Sequence, residues 1–111
     1  MIYKICTAAE WRDAAAQGVF TGSTVDVADG FIHFSTADQV GETARRHFAG
    51  QSDLVLVAVD PKTLGAALKW EPSRGGDLFP HLYGALPADT ADSVAPLPLG
   101  DDGSHIFPEN L

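Results

Sequence analysis

Two short apolar segments, each followed at once by a helix-capping signal, constrain the fold of this chain more than any other feature. Residues 2–6 are predicted to form a strand, and Thr7-Ala8-Ala9-Glu10 follows as a capping box. Residues 31–35 predict another strand, and Thr36-Ala37-Asp38-Gln39 is a second capping box. The first half of the chain is therefore expected to alternate strand, helix, strand, helix.

Helical spacing of apolar residues predicts which side chains each helix buries. In the first helix, which should end at Gly18, they are Ala8, Trp11 and Ala15. In the second helix, which should end at Gly50, they are Val40, Ala44, His47 and Phe48. The polar residues 22–30 between the two units predict a loop, because Asp29-Gly30 is a strong turn signal.

The second half of the chain predicts mostly strands. Residues 54–59 are an unbroken Val-rich apolar run, which indicates a strand buried on both faces. Residues 68–71 predict a strand that ends at Pro72, residues 79–83 an extended segment, and residues 94–99 an edge strand because they contain Pro96 and Pro98. We therefore predict one α+β domain over residues 1–111, a small curved, mainly antiparallel sheet with two helices packed on it.

Charge and cysteine content exclude several classes of protein. With only seven Lys and Arg residues and a net charge of −8, the chain is not expected to form a groove that binds nucleic acid or a surface that binds an anionic membrane. Cys6 is the only cysteine, so an internal disulfide and a zinc–thiolate cage are both ruled out. The sequence shows no apolar run long enough to cross a bilayer and no secretory signal, and a cytoplasmic protein is expected.

Polar side chains on short strands indicate a candidate site. Strand side chains alternate between faces, so His33 shares a face with Ser35, and His81 shares one with Tyr83. Glu71 shares its face with Lys69. If these strands are neighbours, two imidazoles, a hydroxyl, a phenol and a carboxylate line one cleft, as in a ligand site.

Each of these side chains also has a purely structural interpretation. His33 fits a core histidine, Ser35 a helix cap, His81 a turn residue, Tyr83 a packing residue and Glu71 an exposed strand end. Cys6, Trp11 and Trp70 are predicted to be core residues. The position of Cys6 before a helix also fits an activated thiol, but no histidine is near it in sequence.

Several motifs together resemble the bacterial family called domain of unknown function 952. They are Ile2-Tyr3-Lys4-Ile5, Trp11, Asp29-Gly30-Phe31-Ile32-His33-Phe34-Ser35-Thr36 with Gln39, Trp70-Glu71, and Phe79-Pro80-His81-Leu82-Tyr83-Gly84. That family is similar to the ADP-ribosyltransferase superfamily, which includes RNA 2′-phosphotransferases. The resemblance implies an ADP-ribosyltransferase-like fold in which His33 contacts the nicotinamide ribose of NAD, and Glu71 is the transferase glutamate. The superfamily's first-strand histidine has no counterpart here, because Lys4 stands in that region.

These observations give three functional hypotheses. The first is a nucleotide-type ligand site with transferase-like chemistry, in which His33 and Glu71 are catalytic and Ser35, His81 and Tyr83 bind the ligand; NAD is the cofactor that the resemblance implies. The second is a metal-dependent enzyme that uses His33, His81 and Glu71 as ligands. The third is a ligand-binding module without catalysis.

Overall fold

The computed structural model describes the backbone of residues 1–111 and every side chain except that of Arg74. The described backbone contains three α-helices: α1 (Ala8–Gln17), α2 (Thr24–Asp29) and α3 (Ala37–His47). It contains nine strands: β1 (Ile2–Thr7), β2 (Val19–Phe20), β3 (Ile32–His33), β4 (Ser35–Thr36), β5 (Leu54–Val59), β6 (Leu68–Ser73), β7 (Asp77–Leu82), β8 (Leu86–Pro87) and β9 (Ala91–Leu97). The α+β class is as predicted, but the helices number three instead of two.

The strands form three antiparallel sheets where a single sheet was predicted. One has the strand order β4-β1-β5-β9, another β3-β7-β6, and the third pairs β2 with β8. The division arises because residues 31–35 are not one continuous strand: β3 pairs with β7, whereas β4 pairs with β1. Phe34 lies at this break, where its side chain is buried and its N–H donates to the Pro80 carbonyl at 3.0 Å.

Both predicted capping boxes start their helices. Glu10 Oε1 accepts from Thr7 N at 2.9 Å while Thr7 Oγ1 accepts from Glu10 N at 3.0 Å. Gln39 Oε1 accepts from Thr36 N at 3.0 Å. Gly18 ends α1 with a positive φ of 84°, as predicted.

Some details of the two predicted helices were wrong. Ala14, and not Ala15, faces the core beside Trp11. His47 is exposed, because α3 buries only the narrow stripe of Val40 and Ala44. The helix ends at His47 with Phe48 as its C-cap, two residues before the predicted Gly50.

The helix α2 lies in residues 22–30, which were predicted to be a loop. Ser23 and Asp26 form a capping box in which Asp26 Oδ2 accepts from Ser23 N at 2.9 Å, and Gly30 ends the helix at φ 88°. The apolar side chains of this helix, Val25 and Val27, are exposed, so it has no buried apolar stripe. The capping signal was therefore the only feature of the sequence that could have revealed it.

The central strand β5 lies between β1 and β9, and five of its six residues are buried, as the apolar run predicted. One face of its sheet packs against α3 through Tyr3, Leu56 and Val40. The other face packs toward α1 and the three-stranded sheet through residues such as Trp11. Lys4 lies on β1 between Tyr3 and Ile5, so its side chain points into this second layer.

The three-stranded sheet differs from prediction at its edge. Trp70, predicted as a core residue, is 45% exposed because β6 is an edge strand. Pro72 does not end this strand but lies within it, opposite Leu78, as an edge position permits. An edge strand is present as predicted, but β9 spans Ala91–Leu97 instead of residues 94–99. Leu99 lies beyond it and pairs with His105 in an isolated bridge. Among the described residues, no helix is long and apolar enough to cross a membrane.

Candidate functional site

The two histidines selected from the sequence lie side by side. His33 on β3 and His81 on β7 are directly opposed, and their ring centroids are 5.6 Å apart. The Phe31 ring stacks on His81 at 4.1 Å and lies 4.5 Å from His33 and 5.2 Å from Tyr83. Together with Glu71, these residues form a surface that we call the histidine face.

One carboxylate of this face is shared by two donors. Glu71 Oε1 lies 2.8 Å from His81 Nδ1 and accepts from the Tyr83 hydroxyl at 2.7 Å. The hydrogen bonds from Tyr83 and His81 lower the pKa of Glu71, and the same bond to Glu71 raises the pKa of Tyr83. Glu71 is therefore ionised at neutral pH and fixes the orientation of both neighbouring side chains.

His81 keeps one ring nitrogen available. Its ring is buried and its Nδ1 is held by Glu71, whereas Nε2 has no hydrogen-bond partner among the described side chains and backbone. No buried polar side-chain atom of the described residues lacks a partner, so Nε2 must reach solvent. A histidine oriented by a carboxylate at one nitrogen and open at the other has the geometry of a general base.

The carboxylate of Asp26, which no local pattern in the sequence marks as a site residue, anchors the other histidine. Asp26 is 2% exposed, and its Oδ1 lies 2.6 Å from His33 Nδ1 and 3.1 Å from His33 N. Its Oδ2 lies 2.7 Å from Nζ of the buried Lys4. Burial raises the pKa of Asp26, but the hydrogen bond from His33, the charge and hydrogen bond of Lys4 and the Ser23 amide outweigh it and keep the pKa below its usual range.

The ring of His33 is bound at both nitrogens. Nδ1 contacts Asp26, and Nε2 lies 2.9 Å from Asp29 Oδ2. Because Asp29 is 49% exposed at its side chain, its contact is the one that an incoming ligand can replace. Lys4, on β1, is buried against Asp26.

Ser35 does not belong to the histidine face. It was expected to share a face with His33, but it lies on β4 in the other sheet and is opposed to Tyr3 of β1. Its hydroxyl is 3.0 Å from Thr43 Oγ1 on α3. The break at Phe34 removes the strand alternation on which that expectation rested, and Thr36 is the residue that caps α3.

The described residues offer no support for a metal centre. They contain no group of three or more His, Cys, Asp or Glu side chains arranged to hold a metal ion. In the set proposed from the sequence, both nitrogens of His33 and one nitrogen of His81 are engaged by carboxylates. Two cavities, of about 260 and 100 Å³, have lining residues that lie outside the histidine face.

Cys6 is a core residue, as predicted, and is 1% exposed. Burial raises the pKa of Cys6 to about 12, so the thiol stays protonated at neutral pH and cannot serve as a nucleophile. We expect a thiol reagent such as Ellman's reagent to leave the native protein unmodified and to label one thiol per chain in urea. Rapid labelling of the native protein would contradict this burial.

Comparisons with known proteins show what this chain is similar to. The model of the family described as "Protein of unknown function (DUF952)" matches residues 5–94. A crystal structure of protein CC0527 from Caulobacter crescentus is similar, with 53% identity, a TM-score of 0.91, and coverage of 95% of this chain and 92% of that one. The solution NMR structure of CC0527 has 52% identity and a TM-score of 0.88, covering 99% and 95% of the two chains. No curated protein matched the sequence.

Proposed function

We propose a function for this chain, which belongs to the DUF952 family of proteins of unknown function: it binds a small nucleotide-type molecule at the histidine face and transfers its ribosyl group. The observation that carries this proposal is Glu71 Oε1, held at 2.8 Å by His81 and 2.7 Å by Tyr83, beside the aromatic rings. A fixed carboxylate next to aromatic surface suits a ribosyl compound, because the rings can stack on the base while the carboxylate contacts the sugar.

Binding uses groups that are within reach of solvent. Tyr83 is exposed and Phe31 is half-buried, so both rings can contribute surface to a base. A ribose hydroxyl can replace Asp29 at Nε2 of His33, which keeps the ring in place through Asp26. Asp26 pairs with Lys4 and is remote from solvent, so the anchoring contact persists when the ligand arrives.

The transfer step follows from the same atoms. The bond between the anomeric carbon and the leaving base breaks, and the base departs with the bonding electron pair. Glu71, which remains ionised, stabilises the positive charge that develops on the sugar. An acceptor hydroxyl adds to the anomeric carbon, and Nε2 of His81 takes its proton and passes it to the departing base.

The test separates binding from turnover. We expect NAD, ADP-ribose or adenosine at millimolar concentration to raise the Tm of the wild type, and His33→Ala to abolish the rise. His47→Ala is the matched control, because His47 is an exposed histidine on α3 and should leave the rise intact. If none of these ligands raises the Tm of the wild type, the proposed site is wrong.

Glu71→Gln tests the chemistry, because Glu71 is half-exposed and the amide keeps its size. We expect this variant to bind the ligand within about tenfold of wild type and to lose turnover by roughly 10²- to 10³-fold, measured as release of the free base. The Tm of the unliganded variant controls for folding. Ligand binding without turnover by the wild type would contradict the transfer step and favour a binding module.

A further inference from the structure

A cavity lined by α3 and the C-terminal segment has features of a second ligand site. It has a volume of about 260 Å³ and lies between α3 and the segment of residues 103–107. None of its lining residues belongs to the histidine face. Ligand binding at this cavity is therefore independent of the ribosyl transfer proposed at the histidine face.

Small residues create the space. Gly41, Ala44 and Ala49 line the helix side and have little or no side chain to fill it. Phe107, which packs against the core cluster below α3, supplies an aromatic wall. The result is an apolar floor that matches a ring or a short alkyl chain.

The rim carries positive charge that no carboxylate of the described chain neutralises. Arg45 lines the cavity, and its side chain makes no hydrogen bond or ion pair with any other residue in the described structure. Its guanidinium lies along Gly41, where an added Cβ would be 3.6 Å from Arg45 Nη1. The chain has fifteen acidic and seven basic residues, and Arg45 is an exposed arginine whose guanidinium is available to an anionic ligand.

The C-terminal segment is fixed in place and adds polar groups. His105 Nε2 donates to the Gln51 carbonyl at 2.8 Å, and Gly100 N donates to Ser104 O at 2.7 Å. Asp102 accepts from Ser104 N at 2.9 Å, so this carboxylate is engaged by its own turn. Ser104 itself is one of the residues that line the cavity.

From these contacts we propose that the cavity binds a small organic monocarboxylate, with its apolar part against Ala44 and Phe107 and its carboxylate on Arg45. An arginine binds a carboxylate through two parallel N–H···O bonds, and Arg45 has its donors free for this geometry. The volume is below the usual range of drug-sized sites, so it suits a ligand of about ten non-hydrogen atoms.

Phenylacetate is the probe for this site, and phenylacetamide is its uncharged counterpart. In a two-dimensional ¹H–¹⁵N NMR titration of the whole chain, we expect phenylacetate at millimolar concentration to shift the amide signals of Gly41, Gly103 and Ser104. Phenylacetamide should bind about tenfold more weakly, because it lacks the charge that Arg45 recognises.

Two variants complete the test. Arg45→Gln should weaken phenylacetate binding by about tenfold. Arg46→Gln is the matched control, since Arg46 is the next residue, lies outside the cavity lining and already pairs with Glu42 at 3.5 Å. The absence of shifts, equal binding of the amide, or equal losses in the two variants would each overturn the proposal.

Discussion

Asp26→Asn is expected to destabilise this protein by about 3–5 kcal/mol, because it leaves the buried ammonium of Lys4 without a counter-charge. The asparagine has one acceptor oxygen where the aspartate has two, so it can accept from Ser23 N or from His33 N but not from both. The loss therefore combines the missing charge with one lost hydrogen bond. Urea denaturation at pH 7 measures it. A typical domain has about 5–15 kcal/mol of stability, so the midpoint of unfolding should fall steeply.

Asp29→Asn is the matched control for that substitution. Asp29 is in the same helix and also contacts His33, but it is half-exposed, so its loss should cost less than about 1 kcal/mol. If both substitutions lowered the free energy of unfolding equally, the buried Lys4–Asp26 pair would contribute no more to stability than the exposed Asp29–His33 contact.

The pH dependence of stability tests the same pair in the wild type. The pKa of Asp26 is lower in the folded chain than its unfolded value of about 3.9, so its contribution is complete above that pH. The contribution is lost as the pH falls toward the folded pKa, because Asp26 must then be protonated. The difference in stability between wild type and Asp26→Asn should therefore shrink below about pH 4, and a constant difference would contradict the assignment.

Phe34→Ala is expected to cost about 3–5 kcal/mol, since it leaves a cavity where two sheets meet. The backbone of Phe34 also links the sheets through Pro80, and the alanine keeps that bond. Calorimetry or urea unfolding measures the loss.

Phe31→Ala provides the comparison, because the same residue type three positions earlier lies half-buried on the histidine face. Its ring contacts should contribute about 1–2 kcal/mol, so we expect a smaller loss of stability together with loss of the ligand-induced Tm rise. If Phe31→Ala is as destabilising as Phe34→Ala, Phe31 is a core residue and does not belong to a ligand surface.

Local signals in the sequence were sufficient for the elements that they define. Three features were predicted correctly: the capping boxes at Thr7 and Thr36 and the apolar run of β5. Each depends only on residues within one helical turn or one strand of each other. The polar faces of His33 and His81 were recognised from strand alternation, but their meeting was only a conditional prediction, and the pairing of β3 with β7 decides it. Whether they act on a ligand stays a prediction.

Other features depend on contacts between distant parts of the chain. Nothing local separates β3 from β4, and the break at Phe34 is set by pairing with β7 on one side and β1 on the other. For this reason Ser35 is not part of the histidine face. Trp70 is exposed because its strand lies at an edge, which depends on the order of the sheet and not on its apolar neighbours.

The sequence alone determined the helices and strands whose signals are local, that is, those with capping groups or regularly spaced apolar residues only a few positions apart. The partners of the buried charges followed from the three-dimensional packing: Asp26 and Lys4 are 22 positions apart, and each looks like an ordinary surface residue in the sequence. Burying either charge alone would be prohibitive, so the pair forms only when β1 and α2 bring the two groups together. Long-range packing of this kind leaves no local pattern in the sequence.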